Sequence, residues 1–220
     1  LIDHHLHPPV DGYTVQFSDT HSCSTSYIVY QLIEALAGTD AIDQAMAEAL
    51  YVGIMTDTGN FSFSNLTSDL FRAVAVLIDR GVNVPYVNSS VYDNFSEGRM
   101  RLLGYMLNDK MVTDYRYGVA YVSLTEEEMR RFNFIQGDSE GFVNYPLSIR
   151  GIRMSAMFIQ TKHSIRVSLR SRGSDVDVNV FARRYFDGGG HRNAAGGKSY
   201  VSMDETLKNF HTYLKEYFGA

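Results

Sequence analysis

Cysteine is nearly absent from this chain of 220 residues, Cys23 being the only one. That excludes an internal disulfide framework and fits a reducing, cytoplasmic setting. Long apolar runs are missing too. No stretch approaches the roughly 18 uncharged apolar residues that a membrane span needs, so no membrane partner is expected. The opening Leu1-Ile2-Asp3-His4-His5 lacks the basic start and apolar core of a signal peptide. Basic charge is in deficit: 20 Lys and Arg against 25 Asp and Glu leave a net charge of −5. A protein that coats long nucleic acid with its whole surface is thereby disfavoured, whereas a small phosphorylated substrate at a local basic or metal-filled site is compatible. What is unevenly present is histidine: His4, His5, His7 and His21 fall within the first 21 positions.

The hydrophobic pattern predicts an α/β chain in two units. Leu1-Ile2 reads as the end of a buried strand with Asp3-His4-His5 just beyond it, and ligands collect at such strand ends in open α/β sheets. Pro8-Pro9 and Asp11-Gly12 mark a loop, and residues 14–17 a short strand. Three amphipathic helices follow. The first carries Ile28, Val29, Leu32, Ile33 and Leu36 behind Ser22 or Ser24. The second carries Ile42, Ala45, Met46, Ala49 and Leu50. The third carries Val74, Leu77 and Ile78, between Thr67 or Ser68 and Gly81. A further helix is expected over residues 96–107. Beyond it come a hairpin (112–115 with 119–122), a capping box at Thr125 to Glu128, strands over 153–160 and 165–170, and a helix over 176–186. A closing helix carries Leu207, Phe210, Leu214 and Phe218.

Three segments carry chemistry. In Asp3-His4-His5 an imidazole can bind a metal while the neighbouring carboxylate fixes a ring tautomer; a solvated polar strand end is the competing reading. Asp57-Thr58-Gly59 places a carboxylate after a hydrophobic run, with a glycine that lets the backbone bend close to an ion; taken alone, an ordinary helix C-terminus with a turn is the stronger reading. The run from Gly188 to Gly197 has five glycines around His191, Arg192 and Asn193 and reads as a nest of backbone N–H groups for phosphate or carboxylate. It has neither the Walker nor the GxGxxG spacing. Arg166, Ser168 and Arg170 share one strand face, and Arg170 is placed to grip a phosphate.

Taken together, Asp3-His4-His5, the stretch from Gly53 to Phe61, and Gly189-Gly190-His191 to Gly196 resemble the DHH phosphoesterase superfamily with its DHH-associated C-terminal domain. The branch is that of short bacterial oligoribonucleases that also dephosphorylate 3′-phosphoadenosine 5′-phosphate. The resemblance implies a partial parallel-sheet DHH domain with a linker helix over residues 1–108. A smaller mixed-sheet α/β substrate-binding domain would occupy 109–220. It implies two manganese ions in the cleft between the domains, with magnesium or cobalt as substitutes. His4 and Asp57 would be metal ligands, His5 would contact the scissile phosphate, and Asp3 would orient the histidines. Gly189, Gly190, His191, Arg170, Ser171, Asn193 and Gly196 would hold substrate. Expected partners are short RNA oligonucleotides or a nucleoside bisphosphate, with a homodimer as the candidate assembly.

The family's two upstream aspartate motifs are not in this sequence, and the resemblance places on the order of 100 residues before Leu1. Within the superfamily the alternatives are a cyclic-dinucleotide phosphodiesterase, a RecJ-like single-strand exonuclease and an exopolyphosphatase. An inactive nucleotide-binding fragment is the alternative outside enzyme function.

Overall fold

The computed structural model describes residues 1–5, 8, 11–63 and 66–219; His7 and Pro9 of the sequence reading lie outside them. Two compact units divide at Asn94 and Phe95.

In the first unit, β1 (Ile2–Asp3) pairs in parallel with β2 (Phe17–Ser18), Ile2 opposite Phe17. Among the described residues this sheet has only these two strands, so Ile2 is 41% exposed rather than buried as the pattern suggests. Helix α1 (Thr25–Ala37) is capped by the Ser24 side chain, and α2 (Gln44–Asp57) by that of Asp43. Helix α3 (Ser68–Asp79) is capped by Thr67. Helix α4 (Val84–Tyr92), capped by Asn83, is not among the helices expected from the sequence. Its Pro85 is tolerated in the first helical turn, where the missing N–H is not needed. Ile42, Ile54, Met55, Leu70 and Leu77 form the core of this unit. Leu36 ends the predicted stripe of α1 but is 84% exposed. Periodicity identifies a helix without saying which of its residues a neighbour covers.

The second unit begins with α5 (Glu97–Tyr105), which the sequence division at 108 assigns to the first. Its packing explains the difference. Leu102, Leu103 and Met106 share a core with Val122, Leu124, Phe142 and Met157. A π-helical turn (Met106–Lys110) leads into β3 (Val112–Asp114) and β4 (Val119–Leu124). Helix α6 (Glu126–Arg131) follows, then β5 (Met154–Gln160), β6 (Ile165–Ser171) and α7 (Val178–Tyr185). The chain closes with β7 (Gly189–His191), β8 (Ala194–Ser199) and α8 (Met203–Phe218). The sheet order is β3-β4-β5-β6-β8-β7, with β4 and β5 parallel and the other pairs antiparallel. Alternation along β6 sends Ile165, Val167 and Leu169 into a core shared with Phe181, Phe210 and Leu214 from α7 and α8. Arg166, Ser168 and Arg170 point to the opposite face.

The capping box forms as its spacing predicts, and Glu128 does more than cap. It accepts from Lys110 Nζ at 2.6 Å, Tyr105 Oη at 2.7 Å and the Thr125 backbone N–H at 2.8 Å. Burial alone would raise the Glu128 pKa, but these donors outweigh it and hold the carboxyl at about 2. Because the folded value lies below the unfolded one, the stabilisation is present above the unfolded pKa and fades as pH falls from about 4.5 toward 2. Glu128→Gln is expected to cost about 1–2 kcal/mol at neutral pH, after discounting for solvent screening. The difference from the parent should vanish near pH 2. Urea unfolding at neutral and acidic pH measures it, and a deficit independent of pH would contradict the assignment.

Candidate functional site

In the first unit the chemistry gathers at the end of β1. Asp3 Oδ1 accepts from the backbone N–H groups of His4 (2.9 Å) and His5 (3.2 Å) and from His5 Nδ1 at 2.7 Å. The His5 ring bond holds the Asp3 carboxyl below the usual carboxylate range, against a smaller opposing effect of burial. A carboxylate only accepts, so His5 Nδ1 carries a proton. The neighbouring His4 ring stands edge-on to His5, centroids 4.6 Å apart, with Nδ1 3.3 Å from the Ser22 carbonyl. That contact, invisible in sequence because its acceptor is main chain, aims His4 Nε2 at Asp57 Oδ2, 3.8 Å away.

Asp57 is the last residue of α2, so the helix-terminus reading of this motif describes its backbone. The chain then turns through Gly59, Asn60 and Phe61, all with φ between 55° and 58°. Two non-glycine residues in the left-handed region are held there by Thr58, whose buried Oγ1 donates to Ile54 O at 2.7 Å and accepts from Phe61 N at 3.1 Å. One imidazole nitrogen and one carboxylate oxygen this far apart suit adjacent positions around a divalent cation. The donor set, nitrogen plus hard oxygen, fits manganese-type ions. Cys23 does not join it: burial pushes its thiol pKa up, and the Asp57 charge adds to that. His21 is exposed, and His211 is bonded to Tyr121 Oη at 2.9 Å.

In the second unit the glycine run is a hairpin and not an open nest. Gly189–His191 pairs with β8, and the Gly190 N–H is taken by Asn179 Oδ1 at 3.0 Å. Three of the glycines, Gly188, Gly190 and Gly197, are required by close backbone packing. A Cβ at Gly188 would lie 2.0 Å from Gly196 O, and one at Gly190 (φ +148°) 2.5 Å from Ala194 O. Register aligns His191, Ala194, Arg170 and Ser155 in one row across β7, β8, β6 and β5. The next row holds Gly189, Gly196, Ser168 and Met157, so the β7–β8 side of the sheet beside Arg170 carries only small side chains. Burial lowers the Arg170 pKa, partly offset by the Glu140 charge, which marks a desolvated cation suited to an anion. Ser171 and Asn193 serve the hairpin itself. Ser171 Oγ donates to Val176 O at 2.8 Å, and Asn193 Nδ2 donates to Ser171 Oγ and Gly173 O, both at 2.9 Å.

Sequence reasoning missed two residues here. Asn179 also accepts from Arg183 Nε at 3.2 Å, tying α7 to the hairpin; its only signal is the i,i+4 spacing to Arg183. Ser155 is fully buried, and its Oγ has no hydrogen-bond partner among the described residues. A lone serine within Met154–Gln160 was the available sign.

Residues 114–220 match the DHHA1 domain family. A crystal structure of an exopolyphosphatase-related protein from Bacteroides fragilis superposes with a TM-score of 0.92 at 39% identity, over 98% of this chain and 63% of that one. Residues 114–220 therefore carry a DHHA1 domain, and nearly the whole chain is similar to that exopolyphosphatase-related protein. Among curated relatives it is 29% identical to the bifunctional oligoribonuclease and PAP phosphatase NrnA of Bacillus subtilis, over 98% of this chain and 68% of that protein. It is also 29% identical to the protein of the same description from Thermus thermophilus, over 89% of this chain and 56% of the relative. The DHHA1 match covers β4 to α8, and therefore Arg170, the hairpin and Asn179. No described helix is long and apolar enough to cross a membrane.

Proposed function

We propose that this chain hydrolyses phosphoesters in short oligoribonucleotides and in 3′-phosphoadenosine 5′-phosphate, in a metal-dependent reaction in the cytoplasm. The observation that carries the reading is the pairing of His4 Nε2 with Asp57 Oδ2 at 3.8 Å, beside a His5 ring fixed by Asp3. It occurs in a chain similar over nearly its whole length to proteins described as oligoribonuclease and PAP phosphatase. His4 and Asp57 would hold manganese, or magnesium or cobalt in its place, and a pair of such ions supplies an activated water and neutralises charge on the phosphoryl oxygens. Asp3 holds the His5 Nδ1–H and so orients the ring, whose Nε2–H would donate to the scissile phosphate. In the DHHA1 domain, Arg170 and His191 grip the remainder of the substrate through charge-assisted hydrogen bonds. Gly189, Gly190 and Gly196 keep that surface low, while Ser171 and Asn193 hold the hairpin in register.

Turnover by the intact protein with manganese, compared across dinucleotides, the bisphosphate, cyclic dinucleotides and polyphosphate, tests the reading. Dinucleotides and the bisphosphate should lead, and rates should fall beyond about five nucleotides, since long strands need an extended basic groove with stacking aromatics. Rates that climb past about ten nucleotides with steep salt dependence would favour a RecJ-like exonuclease. Preferential cleavage of polyphosphate or of cyclic dinucleotides would likewise overturn the proposal.

A further inference from the structure

A cavity of about 430 Å³ opens in the second unit at the end of the β5–β6 hairpin, where Ile159 to Lys162 meet α6 and residues 134–137. Its floor is apolar: Met129 and Ile159 are buried, and the Phe134 ring forms a wall. Its rim is cationic. Arg130, Lys162 and Arg166 stand around it against a single carboxylate, Glu126. Arg166 donates to Ser139 Oγ at 2.8 Å, whereas Arg130 and Lys162 have no ion-pair partner among the described residues. In a chain with net charge −5, such a local excess of positive charge over an apolar floor selects an anion with a flat apolar part. Four residues along β6 separate Arg166 from Arg170, roughly 13 Å of strand, so this cavity is distinct from the Arg170 row.

We propose that the cavity is a second nucleotide site, taking one nucleoside monophosphate. The base would lie on Met129, Ile159 and Phe134, and the phosphate against Arg130 and Lys162. The choice of this ligand among flat anions rests on the phosphoesterase reading, of which it is the product; the cavity's preference for an anion with an apolar ring does not.

The test is a methyl-resolved NMR titration of the full chain with AMP, adenosine and inorganic phosphate, without metal. AMP should shift the Met129 and Ile159 methyls, and adenosine or phosphate alone should bind at least about tenfold more weakly. The double variant Arg130→Glu/Lys162→Glu should weaken AMP binding at these methyls by about tenfold or more. Both residues are exposed, so the thermal midpoint should stay put. The initial rate of dinucleotide hydrolysis should also be unchanged. Unmoved methyls, equal binding of adenosine, or parental AMP affinity in the double variant would each overturn the site. If hydrolysis fails in the intact parent while AMP still shifts the methyls, the phosphoesterase reading falls and the site stands.

Discussion

Alanine at His4 or at Asp57 is expected to reduce manganese-dependent hydrolysis by the intact protein on the order of 100-fold or more, with the fold preserved. Loss of a residue that merely orients a metal ligand costs about 10–100-fold in affinity, and removing a ligand atom costs at least as much. The fold should survive because neither side chain fills a core. His4 lies at the end of a strand and Asp57 at the end of a helix, with the Asp57 side chain 45% exposed. Asp3→Asn is the graded comparison. It replaces the charged acceptor with a neutral amide and so weakens the hold on the His5 Nδ1–H; activity should fall less than with His4→Ala and manganese affinity should change little. Calorimetric manganese titration alongside turnover measures both. Near-parental turnover in His4→Ala or Asp57→Ala would remove the metal assignment.

The largest stability effect is expected at Arg99. This guanidinium is buried without a carboxylate partner among the described residues. It donates to the carbonyls of Gly137 (3.3 Å), Asp138 and Glu140 (2.8 Å), and lies 4.0 Å from the Phe95 ring centroid and 4.9 Å from that of Phe142. Arg99→Ala leaves these carbonyls without their donor and removes both cation–π contacts, a loss of about 3–5 kcal/mol. Arg99→Lys should recover little, since one ammonium cannot reach three diverging carbonyls and stack between two rings. Residues 137–140 also hold Arg166 through Ser139 and offset the burial of Arg170 through Glu140. Whatever Arg170 binds should therefore bind more weakly in the lysine variant. Denaturant unfolding measures the first effect, and a lysine variant within about 1 kcal/mol of the parent would contradict it.

Local patterns in the sequence determined much of this. Helices α1 and α3 follow from apolar spacing and from caps at Ser24 and Thr67, because a cap and a stripe are properties of neighbouring residues. Helix α2 follows from its spacing, but its cap is Asp43, which leaves Ile42 of the expected stripe outside the helix. The capping box at Thr125 and the alternation of β6 were legible for the same reason. The residue types of the candidate site were legible as well, since Asp3-His4-His5, Asp57 and the glycine run are uncommon in combination.

Only the tertiary structure decided how they act. The 3.8 Å between His4 and Asp57 joins residues 53 positions apart, and it depends on the Ser22 carbonyl turning the His4 ring. The glycine run looked like an open anion nest, but strand pairing uses it as a hairpin whose backbone at Gly188, Gly190 and Gly197 is too close to its neighbours for a Cβ. Helix α5 joined the second unit because Leu102 and Met106 found their core there, a matter of surface burial between distant segments that periodicity does not encode. Ser155 and Arg170 lie 15 residues apart in sequence and become neighbours through the β5–β6 register, which fixes who stands opposite whom.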